Sequence, residues 1–276
     1  RIWSCSSQVV LSPSCDVSNG AHSLHPMKRL ALEARRRKMH ELLVQEGMQA
    51  THKKDKGAVD AIQHLAASLS LPIRHCSKHE LNLLTDSRPH QGFVLKSEPL
   101  KFEQIVELPL SQHAGTGEKF PCWLVLDEVL DPQNFGALLR TAHFLGADGV
   151  VTCARNSAPL NPVVSKASAG AMELIKVHSA DNLMKFLDKS RMNGWEIVGA
   201  ALESSAVEGS SFEVTATTAL VLGNEGKGLR TNVKQRRTKL VKISGVTGDK
   251  NEVDSLNVSV TGGILLHHII SASKRR

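Results

Sequence analysis

The fold class is indicated by one stretch of the chain, residues 123–152, which reads WLVLDEVLDPQNFGALLRTAHFLGADGVVT. It holds two short apolar runs, at 123–126 and 149–152, with a helical pattern at about 136–145 between them. Apolar runs that alternate with helices are typical of strands buried on both faces of a parallel sheet. We therefore predict an α/β fold, with ligands bound where its strands end.

The same rhythm continues toward the C-terminus, so residues 116–276 are predicted to form one domain with a mainly parallel sheet. The further strands are expected at 174–177, 196–201, 218–222 and 239–243, and the further helices within 162–172, at 181–190 and at about 255–272. The pair Asp254-Ser255 is expected to cap the last helix, because both side chains accept hydrogen bonds from unpaired N–H groups.

Residues 21–115 are predicted to form a smaller α/β domain that precedes the sheet. A short helix is expected around residues 30–34, strands at 41–44, from 72 and within 90–95, and helices at 58–69 and 78–84. The apolar periodicity fades from about residue 99, which places the domain boundary near 115.

Composition excludes several classes of protein. Hydrophobic residues make up 41% of the 276 residues and charged residues 22%, so the chain is not a disordered tail. No stretch approaches the roughly 20 apolar residues that span a bilayer, so no membrane partner is expected. A net charge of +7 favours a polyanion, such as a nucleic acid, as the binding partner. Aromatic residues are scarce at 4%, and tyrosine is absent. Recognition by stacking bases on rings is therefore not expected.

The five cysteines form no C-x-x-C pair, which indicates reduced, buried thiols. The segment from His75 to His79 lacks a second ligand pair at zinc spacing, so no metal is expected. The first fifteen residues include five serines and no acid. Residues 1–20 therefore read as a flexible leader or the remnant of a mitochondrial transit peptide.

Two basic stretches are candidates for contact with RNA phosphates. Residues 28–38 carry six basic side chains against one acid, and residues 227–242 carry seven against none. A solvated surface is the alternative for both stretches. The candidate RNA-binding residues are Lys28, Arg29, Arg35, Arg36, Arg37, Lys38, Arg230, Lys234, Arg236 and Arg237.

The first of three chemically informative loops follows the strand at 123–126. It contains Asn134, Gly136 and Arg140, and with a helix beginning near 136 the arginine would lie one turn inside it. A cation near a helix N-terminus opposes the helix dipole, so a polar or anionic ligand is expected there. An ordinary helix start with a surface arginine is the alternative.

The second loop, residues 220–230, places three glycines within six residues after an apolar strand. Glycine lets the backbone turn tightly and approach a ligand closely. The loop is not a P-loop, because Lys227 precedes glycine, and it is not a dinucleotide fingerprint, because Thr231 stands where the third glycine belongs.

The third loop, residues 253–266, leads through Ser255-Leu256-Asn257 into an apolar helix rich in small residues. Small residues permit close backbone contact with a ligand. Close packing of a buried helix explains the same pattern.

Together the three loops form an ordered pattern: D-x-x-N-x-G-x-x-x-R-T-A, then L-G-N-E-G-x-G-L, then S-L-N-V-S-V. This pattern resembles the SpoU (TrmH) family of RNA ribose 2′-O-methyltransferases over about residues 121–272, and the segment 161–171 fits the family as well. The N-terminal part, with His25-Pro26 and His90-Gln91-Gly92, is similar to the L30-like RNA-binding domain of such enzymes. The resemblance is strongest to the mitochondrial branch, whose members methylate a guanosine ribose in large-subunit rRNA.

The resemblance implies a C-terminal sheet threaded into a deep trefoil knot and a homodimer that completes the catalytic pocket. It implies S-adenosylmethionine as cofactor, bound at Leu222, Gly223, Ile243, Ser255 and Leu256. The implied catalytic residues are Arg140, Asn134, Glu225, Ser255 and Asn257. Because guanidinium does not lose its proton in proteins, Arg140 is expected to hold a phosphate and stabilise the forming alkoxide rather than act as a base.

The predicted function is therefore ribose methylation of mitochondrial large-subunit rRNA in the matrix, in support of ribosome assembly. A tRNA ribose methyltransferase of the same fold and a non-catalytic RNA-binding assembly factor are the alternatives. The chain departs from many relatives at Ser244-Gly245, where proline and methionine are usual, and at Thr261, where alanine is usual. These departures concern the geometry of the cofactor site.

Overall fold

The computed structural model of the chain describes residues 8–9, 37–47, 53–87, 90, 92–111, 120–245 and 255–273. The chain divides into two compact units. One comprises the described residues up to Lys101 together with Leu160–Leu174, and the other comprises Phe102–Pro159 and the described residues from Ile175 onward.

The described helices and strands alternate along most of the chain. The helices are α1 (Lys53–Ser68), α2 (Lys78–Leu84), α3 (Pro132–Leu145), α4 (Pro162–Ala167), α5 (Leu183–Met192), α6 (Thr231–Lys234) and α7 (Val258–Ser273). The strands are β1 (Gln8–Val9), β2 (Met39–Gln45), β3 (Ile73–Cys76), β4 (Phe93–Ser97), β5 (Glu103–Gln104), β6 (Cys122–Leu126), β7 (Gly149–Cys153), β8 (Val177–Ala180), β9 (Glu196–Ala200), β10 (Val207–Glu208), β11 (Thr218–Leu222) and β12 (Lys239–Lys242).

The first unit contains a four-stranded sheet in the order β1-β4-β2-β3. Strand β2 pairs antiparallel with β4 and parallel with β3. Leu42 and Phe93 pack with Ile62 of α1 on one face, while Leu43 packs with Leu81 of α2 on the other. This alternation, expected where side chains point to opposite faces of a strand, confirms the predicted small α/β domain.

The second unit contains an eight-stranded sheet in the order β10-β12-β9-β11-β6-β7-β8-β5. Every neighbouring pair in it is parallel. The five residues of β7 and the five of β11 are all buried, as strands covered on both faces require. The predicted parallel α/β sheet is thus confirmed. The trefoil knot stays a prediction, since residues 246–254 lie outside the described part of the chain.

Helix α3 begins four residues earlier than predicted. The Asp131 carboxylate accepts hydrogen bonds from Gln133 N at 3.1 Å and Asn134 N at 3.2 Å, and Pro132 occupies the first helical position. An aspartate cap followed by proline is a strong helix start. Arg140 is therefore the ninth residue of the helix, and the predicted conflict with the helix dipole was wrong.

Two other local predictions also differ from the structure. The cap of α7 is Asn257, whose Oδ1 accepts a hydrogen bond from Ser259 N at 2.8 Å, so the predicted cap at Asp254-Ser255 lies too early. The strand expected at 174–177 is β8, which begins at Val177 because residues Ala171–Glu173 form a 3₁₀ helix.

Helices α3 and α7 pack side by side in the second unit. A Cβ added to Gly262 of α7 would lie 2.4 Å from Leu138 Cδ2 and 2.7 Å from Leu222 Cδ1. Gly262 therefore serves close helix packing, as the alternative interpretation of the third loop held. No helix among the described residues is long and apolar enough to cross a membrane.

Candidate active site

A cleft of about 320 Å³ lies at the carboxyl edge of the parallel sheet, where β9, β11 and β12 end. Parallel strands bring their carboxyl ends together, so loops far apart in sequence meet at this edge. The five residues predicted to bind the cofactor all line the cleft: Leu222, Gly223, Ile243, Ser255 and Leu256. That they bind a cofactor stays a prediction, but the structure brings the five together.

The loop after β11 is closed tightly on itself. Asn224 N donates to Gly228 O at 3.1 Å, and Gly228 N donates to Asn224 O at 2.9 Å. A Cβ on Gly223 would lie 2.2 Å from the carbonyl carbon of Gly228 and 2.3 Å from Leu229 N, which are backbone atoms that cannot move aside. Glycine is thus required at 223 for the loop to pack against itself, whether or not a ligand is bound.

Asn134, Glu225 and Asn257 form a hydrogen-bonded set, the amide cluster. Asn257 Nδ2 donates to Asn134 Oδ1 at 3.0 Å, and Asn134 Nδ2 donates to Glu225 Oε1 at 3.5 Å. The same Glu225 oxygen accepts from Asp131 N at 3.2 Å. The cluster therefore contains one residue from each of the three loops, with Asn134 bonded to both of the others. Glu225 also lines the cleft.

An ion pair between the buried Asp127 and the partly exposed Arg230 joins the far end of the glycine loop to the end of β6. Asp127 is 0% exposed, and its carboxylate accepts from Arg230 Nε at 2.7 Å and from Arg230 N at 3.1 Å. Arg230 Nη1 also lies 3.0 Å from Glu128 Oε1. Burial alone would lower the pKa of Arg230, but its hydrogen bond to Asp127 and the charges of the two acids raise it above its usual value. We call this pair the Asp127–Arg230 clamp.

Sequence reasoning missed Asp127 and predicted that Arg230 contacts RNA. In the structure the guanidinium of Arg230 is engaged by Asp127 and Glu128, although its side chain remains 41% exposed. An acid directly after an apolar strand was the only sequence signal for the clamp. Such an acid is equally typical of an exposed loop.

Arg140, the predicted catalytic arginine, is not among the residues that line the cleft. Its side chain is exposed on α3, and no described residue hydrogen-bonds or ion-pairs with it. One helical turn further along lies Phe144, which is 85% exposed. On the adjacent α7, Val260 and Ile264 are also exposed, four residues apart. Large apolar side chains are thus exposed on both of these packed helices.

The basic N-terminal stretch is only partly described. Arg37 is buried, donates from Nη1 to Glu98 O at 3.2 Å and forms an ion pair with Glu173, so it stabilises the first unit from inside. Its neighbour Lys38 is exposed. The remaining candidates of this stretch lie outside the described residues: Lys28, Arg29, Arg35 and Arg36.

The basic stretch at 227–242 is largely occupied by contacts within the second unit. Lys234 Nζ lies 2.8 Å from Glu203 Oε1, and Arg236 Nε lies 2.9 Å from Asp188 Oδ2. Arg237 donates to Lys234 O. Lys234 and Arg236 are paired with acids, and Arg237 donates to a carbonyl oxygen. The stretch therefore has less free positive charge to attract a polyanion than its count of basic residues predicts.

Ser244, at a position where the family resemblance leads us to expect proline, has a structural partner. Its hydroxyl donates to Glu208, and its backbone N donates to Glu208 Oε2 at 3.3 Å. These hydrogen bonds, with the charge of Lys242, lower the pKa of Glu208. Ser244, which is next to the cleft residue Ile243, thus connects the loop after β12 to Glu208 of β10.

Neither a reactive thiol nor a metal centre is found in the described part of the chain. Burial raises the pKa of Cys153 to about 11, so its thiol stays protonated at neutral pH. Among the described residues no three or more His, Cys, Asp or Glu side chains are grouped as metal ligands.

Two family models match the chain. The model of the SpoU rRNA methylase family matches residues 121–267, and the model of RNA 2′-O ribose methyltransferase substrate binding matches residues 29–103. The first match includes the cleft, the amide cluster and the clamp.

Relatives of known name are similar over most of the chain. The mitochondrial rRNA methyltransferase 1 of Homo sapiens is 38% identical over 255 residues, which cover 89% of this chain and 70% of that protein. The protein of the same name from Dictyostelium discoideum is 35% identical over 246 residues, and this chain spans less than half of its length, 46%.

Solved structures share the fold. An rRNA methyltransferase from Sinorhizobium meliloti, crystallised with S-adenosylmethionine, superposes with a TM-score of 0.67 at 21% identity, over 90% of this chain and 85% of that one. At this level of identity the likeness concerns the fold.

Proposed function

The chain belongs to the SpoU rRNA methylase family, and on this premise we propose that it methylates a ribose 2′-hydroxyl in RNA, with S-adenosylmethionine as the methyl donor. The proposed substrate is a guanosine of mitochondrial large-subunit rRNA. The amide cluster carries the proposal, because it joins the three family loops in one hydrogen-bonded set beside a ligand-sized cleft.

The cleft is suited to S-adenosylmethionine in size and in chemistry. Its volume of about 320 Å³ falls within the range of small-molecule sites. Leu256 is 47% exposed in it and offers an apolar surface to a base, while the backbone at Gly223 and Ile243 offers hydrogen-bonding groups. When bound, S-adenosylmethionine supplies an electrophilic sulfonium methyl group.

Arg140 is proposed to hold the phosphate next to the target ribose and to stabilise the negative charge that develops on the 2′-oxygen. A guanidinium remains charged throughout, so it does not accept the hydroxyl proton. Its exposure and lack of a partner among the described residues support this role, since a phosphate can reach it without breaking an existing ion pair.

The amide cluster is proposed to position the substrate. Asn134 and Asn257 hold each other, and Glu225 holds both Asn134 and the N-terminal turn of α3. Ser255 lies in the cleft three residues before α7 and extends this polar edge. Positioning of this kind brings the hydroxyl into line with the methyl group.

A homodimer is proposed to form through the surface shared by α3 and α7. Phe144 of α3, one helical turn from Arg140, and Val260 and Ile264 of α7 expose apolar area on these two packed helices. An exposed apolar patch of this kind marks an interaction surface. Docking a second copy on it would bring Arg140 to the interface, as the family resemblance implies. Sedimentation of the purified protein is expected to give twice the mass of the chain.

Mitochondrial location and rRNA substrate are proposed from the relatives, which are named mitochondrial rRNA methyltransferases. Residues 29–103 match a substrate-binding model, so this part is proposed to dock RNA. Phosphate and backbone contacts are expected rather than stacking, because only 4% of residues are aromatic.

The proposal is tested by incubating the purified protein with methyl-labelled S-adenosylmethionine and either large-subunit rRNA transcripts or tRNA. We expect label in rRNA, at one guanosine that resists alkaline cleavage on its 3′ side. Label in tRNA alone would show that the substrate is wrong. Tight RNA binding without label in either would indicate a non-catalytic assembly factor.

A further inference from the structure

Glu203 lines the cleft but is not among the residues that the sequence pattern singles out. It lies in the turn directly after β9, where Ala206 N donates to Glu203 O at 3.0 Å. Strand β9 lies next to β11 in the sheet, with Gly199 paired to Val221. The acid and the glycine loop therefore extend from the ends of neighbouring parallel strands.

This placement is typical of nucleoside recognition in open α/β sheets. There a glycine-rich turn follows one strand, and a carboxylate from the end of another accepts hydrogen bonds from ribose hydroxyls. We propose that Glu203 binds the ribose hydroxyls of the nucleoside part of the cofactor. The inference rests on the proposed function and names a contact for it.

Lys234 holds Glu203 in position for this role. Its Nζ lies 2.8 Å from Glu203 Oε1, and the carboxylate side chain remains one-third exposed, so a ligand can reach it. The hydrogen bond from Lys234 and the charges of Lys234 and Arg237 lower the pKa of Glu203. The side chain is therefore a charged acceptor at neutral pH, and charged acceptors make the stronger hydrogen bonds.

Apolar surface in the same cleft complements the acid. Leu202, the neighbour of Glu203, is 56% exposed and Leu256 is 47% exposed, and both line the cleft. Large apolar side chains exposed inside a cleft suit an aromatic base, and the carboxylate suits a diol. The combination favours a nucleoside over a simple anion, which Glu203 would repel.

The test uses calorimetry with three probes: S-adenosylhomocysteine, 5′-methylthioadenosine, which lacks the amino-acid part, and 2′-deoxy-5′-methylthioadenosine. The variants are Glu203→Ala and Glu203→Gln, with Glu213→Gln as a control, because Glu213 is exposed and lies outside the cleft. Thermal unfolding of each variant is measured alongside.

We expect Glu203→Ala to weaken the first two probes by the same factor, about 10- to 100-fold, as for loss of a charged hydrogen bond. The wild type should bind the deoxy probe more weakly than its parent, and Glu203→Ala should no longer distinguish the two. Glu203→Gln should give a smaller loss in the same direction, and Glu213→Gln none.

A loss confined to S-adenosylhomocysteine would assign Glu203 to the ammonium group and overturn the ribose contact. Unchanged affinities in folded Glu203 variants would overturn it too. Failure of the wild type to bind S-adenosylhomocysteine would instead contradict the proposed function.

Discussion

Arg140 lies inside helix α3 and Arg230 at the end of the glycine loop, and the structure uses these two arginines in opposite ways. Arg230 is engaged by the buried Asp127 and by Glu128, whereas Arg140 is exposed with no partner among the described residues. A buried carboxylate needs a countercharge, because an uncompensated charge is costly in the interior. The arginine that satisfies it is structural, and the one left in solvent remains available to a phosphate.

The first unit repeats this contrast in two consecutive residues. Arg37 is buried against Glu98 O and Glu173, while Lys38 is exposed. A basic stretch is thus not a single functional feature, since the fold assigns each charge separately. Three experiments test this contrast between paired and exposed charges, and a fourth tests the analogous contrast between a tightly packed glycine and one with free space.

The largest effect is expected for Arg140→Ala. Losing a group that stabilises transition-state charge should lower kcat by about 100- to 1,000-fold or more. Cofactor affinity, measured by calorimetry, should stay the same because the cleft does not include Arg140. Near-normal turnover on RNA would show that the catalytic assignment is wrong.

Arg230→Ala is expected to act on stability. It leaves the buried Asp127 without its countercharge, so the free energy of unfolding should fall by about 3 kcal/mol. Arg140→Ala is the matched control and should change it by less than about 0.5 kcal/mol, as for other exposed sites. Urea denaturation compares the two, and equal stabilities would show that the clamp is not structural.

The α3–α7 contact is tested by two adjacent glycines. Gly262→Ala would force Leu138 and Leu222 apart and should cost about 1–3 kcal/mol. A Cβ added at Gly263 would lie 3.8 Å from Thr141 Cγ2, which is ordinary van der Waals contact, so Gly263→Ala should raise stability by about 0.5–1 kcal/mol through helix propensity. Effects of the same sign in thermal unfolding would contradict this packing.

The smallest effect is expected at Lys38. Lys38→Ala should weaken RNA binding a few-fold and reduce the slope of log K against log salt by about one, as for one lost phosphate contact. Arg37→Ala should instead destabilise the first unit, because it removes a buried partner of Glu173. Fluorescence anisotropy at several salt concentrations measures the slope. An unchanged slope for Lys38→Ala would exclude this residue as a phosphate contact.

Much of the fold could be predicted because buried parallel strands leave a plain trace in the sequence. The apolar runs that became β6, β7 and β11 are continuous, and helices separate them. The first residues of the helices were harder to predict. For α7, both Ser255 and Asn257 are good caps, and only the path of the backbone selects Asn257. The two-residue strands β5 and β10 are too short to show a period.

The family resemblance supplied the cleft residues, and the topology of the sheet explains why they meet. Leu222 is the last residue of β11 and Ile243 follows β12, and the carboxyl ends of parallel strands lie at one edge whatever the connections between them. Glu203 was not predicted, because its role depends on which strand lies next to β11, and strand order is not readable from apolar periodicity.

The sequence by itself determined the fold class, the two-part organisation and the three loops that mark the family. Their patterns are local, in runs of apolar residues, glycines and caps. Only the tertiary structure decided which charges are paired. Arg230 and Asp127 are 103 positions apart in the sequence, and Arg37 and Glu173 are 136 positions apart. Only the folded chain brings these partners together and leaves Arg140 exposed to solvent. Electrostatic energy depends on distance in space and on burial, and neither is a property of neighbouring residues in sequence.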